Sequence, residues 1–167
     1  MSEPTTDKYT QAIAASKVTE DDAAVSAAVQ KILDEHFAEN NNKDVYKFLF
    51  NTIDLTTLKA TDSPTSVSRF TQNVNDFEEQ FPSLPNVAAI CVYPNFAAVV
   101  RTVLEVSDVK IACVSGAFPS SQSFEEVKIA ETSLAVANGA DEIDIVLNLG
   151  YFLDHDYESL VDEITEQ

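Results

Sequence analysis

The chain has 167 residues, with 28 acidic against 10 basic side chains and a formal net charge of −18. Such a field repels nucleic acid and anionic lipid, so neither is expected as a partner. A hydrophobic content of 45% suits one packed domain and excludes a wholly disordered chain, and no run nears the roughly 18 apolar residues of a membrane span.

The opening MSEPTTDKYT is polar and acidic, unlike a signal peptide or an Arg-rich transit peptide. Residues 1–18 read as a loose or partly helical leader. Thr19, with Asp22 three residues on, predicts a capping box at the start of a helix. Val25, Ala28, Val29, Ile32, Leu33 and Phe37 then recur at helical spacing until the polar run Asn40–Asp44. Phe48–Leu55 reads as a strand. Ser63 is expected to cap a helix that Pro64 opens and that runs to about Gln80. Residues 81–86, with Pro82 and Pro85, form a loop. Ala88–Tyr93 is a predicted strand, stopped by Pro94.

Phe96–Val106 is an apolar helix and Val109–Val114 a strand. After the loop from Gly116, Ser123 is expected to cap a helix over Phe124–Asn138, which Gly139 ends in a left-handed conformation. Glu142–Leu147 is the fourth strand, and Tyr157–Glu166 the last helix. The strands are continuous apolar runs rather than alternations. That pattern belongs to strands buried on both faces, hence to a parallel sheet covered by helices. Three glycines in the whole chain cannot supply a GxGxxG or P-loop fingerprint.

In a parallel α/β protein the working residues gather at the C-terminal ends of the strands. Two carboxylates are candidates: Asp54, placed at the end of the first strand in IDLTTL, and Asp144, within the fourth. A charge inside an apolar strand is costly unless paired or used. Alternation puts Asp144 on one face with Glu142, Val146 and Asn148, opposite Ile143, Ile145 and Leu147. Cys91 and Tyr93 share a face of the second strand. Simpler roles exist for both acids: Asp54 as a cap for the turn at Thr56–Thr57, Asp144 as a satisfied core acid. Cys91 and Cys113 lie in apolar runs and are expected to be buried, reduced thiols in a cytoplasmic setting. His36 and His155, far from each other and from the cysteines, predict no zinc site.

At IDLTTL, AAICVYP, the loop after KIACVSG and the segment KIAETSLAVANGADEIDIVLN, the chain resembles the deoxyribose-phosphate aldolases, in order and in register from about Phe48 to His155. The resemblance implies a (βα)₈ TIM barrel of which the first four βα units are present over residues 43–167. Residues 1–42 are then a helical N-terminal extension. It implies a class I aldolase that reversibly cleaves 2-deoxyribose 5-phosphate to acetaldehyde and glyceraldehyde 3-phosphate through a lysine Schiff base, with no cofactor and no metal. Asp144 falls on the family's proton-relay acid, Asp54 beside the reacting centre, and Cys91 near the substrate pocket. The family's Schiff-base lysine falls on its sixth strand, beyond the four present here.

A Schiff-base lysine must be desolvated and neutral. Lys47 and Lys110 sit near strand starts, Lys128 lies on a helix, and Lys59, on the catalytic side, is expected to be solvated. The 167 residues alone are therefore expected to be catalytically incomplete. The alternative is a non-catalytic half-barrel assembly or binding module closing as a homodimer.

Overall fold

The computed structural model describes residues 7–16 and 21–167. Three helices come first: α1 (Lys8–Ala15), α2 (Asp22–Asn40) and α3 (Lys43–Phe50). Then βα units follow one another: β1 (Asp54–Thr56), α4 (Pro64–Gln80), β2 (Ala89–Val92), a 3₁₀ turn (Pro94–Phe96) with α5 (Ala97–Val103), β3 (Lys110–Ser115), α6 (Glu125–Ala137), β4 (Glu142–Ile145), α7 (Leu149–Leu153) and α8 (Tyr157–Glu166). The four strands form one parallel sheet in the order β1-β2-β3-β4, so each unit adds its strand beside the last.

The expected capping of α4 is present in full. The Ser63 Oγ accepts from the Ser66 N–H at 3.2 Å, the Ser66 Oγ accepts from the Ser63 N–H at 2.8 Å, and Pro64 opens the helix. Several expectations need correction. Phe48 to Phe50 is helical, not the start of a strand. Asn42 caps α3 by accepting from the N–H groups of Asp44 and Val45, both at 3.1 Å, so the polar run that ends α2 also starts α3. Thr19 lies outside the described residues; α2 begins one step after Asp21, whose carboxylate accepts from the Ala23 N–H at 3.0 Å. Ser123 does not cap α6, whose N-cap is Phe124 without a side-chain bond. Residues 149–153 form α7, which the periodicity did not predict. Gly139 has φ +104° as expected, with the Arg101 side chain packed where a Cβ would stand.

The core lies between the sheet and its helices. Ile90, Val92, Ile111 and Cys113 from the central strands meet Val67 and Val74 of α4, Val100 of α5 and Ala135 of α6. The opposite face of the sheet carries a smaller cluster, Ala89, Cys91, Ala112 and Val114, covered by Leu58, Tyr93 and Phe118. β2 is buried throughout, whereas β1 and β4, at the two sides of the sheet, are partly exposed. The apolar stripe of α2 (Val25, Val29, Ile32, Leu33, Phe37) is exposed. No helix among the described residues is long and apolar enough to cross a membrane.

Candidate active site

Strand register builds the candidate site. Asp54 pairs with Ala89 and Ala89 with Lys110; Thr56 pairs with Cys91, Cys91 with Ala112 and Ala112 with Glu142; Val114 pairs with Asp144. Paired residues of a parallel ladder share a face. Asp54, Cys91 and Asp144 therefore look to the same side, away from the main core. Asp54 opens β1 rather than ending it, so it lies a layer lower than expected, level with Ala89 and Lys110.

The Cys91 thiol donates to the Asp144 Oδ2 at 3.9 Å, bridging β2 and β4 across the small Ala112. Asp144 itself is exposed, because this side of β4 is uncovered. It is not the buried acid that its apolar neighbours suggested, since those neighbours point the other way. Burial and then the Asp144 carboxylate push the Cys91 thiol up, while a Thr56 hydroxyl bond works against them. Burial, then the carboxylates of Asp144 and Glu142, push Asp54 above the usual aspartate range. Asp54 thus feels the Asp144 carboxylate across the width of the sheet.

The turn after β1 is held by another acid. Asp62 accepts from the Thr57 hydroxyl at 2.8 Å and the Lys59 N–H at 2.9 Å. The turn-capping role considered for Asp54 belongs to Asp62, which leaves the Asp54 carboxylate free of that duty. Tyr93 donates to the Leu58 carbonyl at 3.3 Å and meets Phe118 edge-on, ring centroids 6.3 Å apart. The loop after β3 takes three left-handed residues, Gly116, Ala117 and Ser121, with φ between 57° and 71°. Glu131 secures it, its Oε2 accepting from the Ala117 N–H at 2.9 Å and from the Ser115 hydroxyl at 3.4 Å. The loop so shaped delivers Phe118 over Cys91 and Ala112.

The cations lie elsewhere. Lys59 is exposed in the loop after β1. Lys110 shares the inner face but at its lower end, ion-paired to Glu142 at 2.8 Å. Lys47 is on α3, not at a strand start. Lys128 is wholly buried, donating to the Ser121 Oγ at 2.9 Å and ion-paired with Glu163 of α8 at 2.8 Å. In sequence Lys128 is an ordinary helix lysine; only in the structure does it share a buried face of α6 with Thr132 and Ala135. Among the described residues no amine contacts Asp144. Both cysteines are free thiols, and burial pushes Cys113, on the helix side of the sheet, up to about 12. His36 is exposed beside Glu39, and His155 bonds the Tyr157 hydroxyl at 2.7 Å.

Two acids and a thiol on one face of a parallel sheet, with Asp144 beside Cys91 and Asp54 a layer lower, can hold and pass protons. No family model matches the chain. A Caenorhabditis elegans protein assigned by name to the deoxyribose-phosphate aldolases is 35% identical over 147 residues, 86% of this chain and 48% of that protein. The deoxyribose-phosphate aldolase of Aciduliprofundum boonei is 36% identical over 114 residues, 68% of this chain and 47% of that protein. A solved structure, "QR15, an Aldolase", superposes with a TM-score of 0.60 at 30% identity, over 70% of this chain and 48% of that one. The chain is a relative of the deoxyribose-phosphate aldolases, its sheet and helices match part of their TIM barrel, and it spans about half the length of the curated relatives it matches.

Proposed function

We propose, from this kinship, that the chain supplies the acid side of a deoxyribose-phosphate aldolase site, acting on 2-deoxyribose 5-phosphate by reversible carbon–carbon cleavage. Asp144 is the proton relay, Asp54 tunes the reacting centre from below, and Cys91 forms the pocket wall. No cofactor is needed, because the electron sink is an imine on a lysine amine. The carrying observation is the meeting of Cys91 and Asp144 on the inner face that Asp54 shares.

The same geometry supports catalytic incompleteness of these 167 residues. An imine-forming amine must stand near the relay acid in a desolvated pocket. Lys59 is exposed, Lys110 is paired with Glu142 at the opposite end, and Lys128 is held by Glu163. Residues 43–167 would contribute the barrel units, the residues before them a helical extension, and two free thiols fit a cytoplasmic setting.

The test is a retro-aldol assay coupled to glyceraldehyde 3-phosphate detection. The isolated chain should give no turnover; activity near that of a full-length relative would overturn the incompleteness. A chimera joining residues 43–167 to the remaining units of such a relative should turn over, and Asp144→Asn within it should lower kcat about 100-fold. An unaffected chimera would remove Asp144 from the relay.

A second reading rests on the segment just after β4, where Leu147, Leu149, Phe152 and Leu153 are exposed. Two copies meeting there would form a closed assembly without catalysis. Its mark is a tight folded dimer in solution by mass measurement, and a monomer at micromolar concentration would dismiss it.

A further inference from the structure

We propose that Lys128 and Glu163 are positioning residues for Asp144, acting as a buried ionic latch that fastens the end of β4 to α6, α8 and the loop after β3. This rests on the aldolase reading only in taking Asp144 as the working acid.

The latch is a connected set of side chains. Lys128 Nζ meets Glu163 Oε2 at 2.8 Å and the Ser121 Oγ at 2.9 Å. The Asn148 amide donates to the same Glu163 Oε2 at 3.4 Å, and Asn148 Oδ1 accepts from the Tyr151 N–H at 3.4 Å. The ion pair thus joins three segments that sequence keeps apart: the ammonium holds the loop after β3 and the last helix, and Glu163 in turn holds Asn148 after β4. Lys128, Ser121, Glu163 and Asn148 are all buried.

β4 needs such a fastening. It has four residues, it lies at one side of the sheet, and its only strand neighbour among the described residues is β3. The backbone bond just beyond it, from the Val146 N–H to the Ser115 carbonyl, is long at 3.4 Å. Asp144 lies two residues before that bond and four before Asn148. The height of its carboxylate against Cys91 is therefore set by how firmly residues 146–148 are held.

Stability alone does not account for an ion pair here. Desolvating two charges offsets most of their attraction, and apolar residues of like volume usually serve a core as well or better. Glu163 even keeps one oxygen, Oε1, buried without a hydrogen-bond partner. What an ion pair adds over apolar packing is a directional constraint on register.

Hydrogen exchange on the folded 167-residue chain separates the two roles without requiring turnover. The apolar replacement Lys128→Met/Glu163→Leu should accelerate amide exchange across residues 142–146 about tenfold more than across β2, and Asn148→Ser, which leaves the ion pair intact, should do the same. Equal acceleration in β2 and β4, or none in β4, would overturn the latch. Should the double variant fail to fold, Asn148→Ser decides alone. A chimera without aldolase activity would refute the proposed reaction and leave the exchange result standing; uniform exchange would refute the latch and leave the reaction standing.

Discussion

Replacing Lys128 by methionine separates a buried ion pair from an exposed one of equal length. The Lys128 side chain is 0% exposed and its partner Glu163 5%. Methionine fills most of the lysine stem, so little cavity is made. What is lost is the ammonium, leaving the Glu163 carboxylate facing only a 3.4 Å bond from Asn148, and leaving the Ser121 hydroxyl without its donor. Breaking one side of a buried pair costs about 3–5 kcal/mol. Against a whole-domain stability of about 5–15 kcal/mol that is a large fraction, equivalent to roughly 6–20 °C in Tm at this chain length. Urea unfolding followed by tyrosine fluorescence suits a chain with five tyrosines and no tryptophan. The control is Lys110→Met. That lysine is also 2.8 Å from its partner, Glu142, but its side chain is 60% exposed, and solvent screening should leave the unfolding midpoint unchanged. Equal effects from the two variants, or a loss below about 1 kcal/mol for Lys128→Met, would refute the argument that burial rather than distance decides the strength of these pairs.

Two further outcomes are expected. Partial burial works to raise the Asp141 carboxyl, but the Ile111 N–H, the Arg101 guanidinium and Lys110 outweigh it and hold it below its ordinary 3.8. A depressed folded-state value means stabilisation present above pH 3.8 and lost as pH falls through the lower folded value. Asp141→Asn should therefore destabilise by about 1 kcal/mol at neutral pH, modest because the side chain is more than a third exposed, and the two proteins should converge in acid; a constant gap from pH 7 to pH 2.5 in denaturant titrations would contradict this. With burial pushing Cys113 up to about 12, iodoacetamide at pH 8 should leave it unlabelled in the folded chain and label it in urea, and labelling in the native state at the rate of a free thiol, read by peptide mass mapping, would show the assignment to be wrong.

Much of the barrel's layout was legible because β2, β3 and α4 each carry a strong local signal. The runs around Ile90–Val92 and Ile111–Val114 are unbroken and apolar, and Ser63–Pro64 is a helix start with a mechanism. Alternation within EIDI and AICV sorts Asp144 and Cys91 each to a face of its own strand, while only the register of the sheet brings the two faces together. The failures have local causes too. The run YKFLF, short and apolar, reads equally as strand or helix end, and the deciding residue was Asn42, whose side chain caps α3. Asp54 was misplaced by two positions for the same reason, since a helix ending at Phe50 delays the strand. Lys128 and Glu163 are 35 residues apart in sequence and each looks like an ordinary helix charge; only the packing of α8 beside α6 makes them one feature.

The Tyr93 and Phe118 contacts have a thermodynamic consequence at the mouth of the sheet. Leu58, Tyr93 and Phe118 come from the loops after three successive strands, and an aromatic edge contact and one hydrogen bond tie them into a chain. Three loops that would otherwise sample conformations independently are ordered together when the domain folds. A molecule arriving above Cys91 then meets a rim already in place, and its binding free energy is not diminished by the entropy of arranging it.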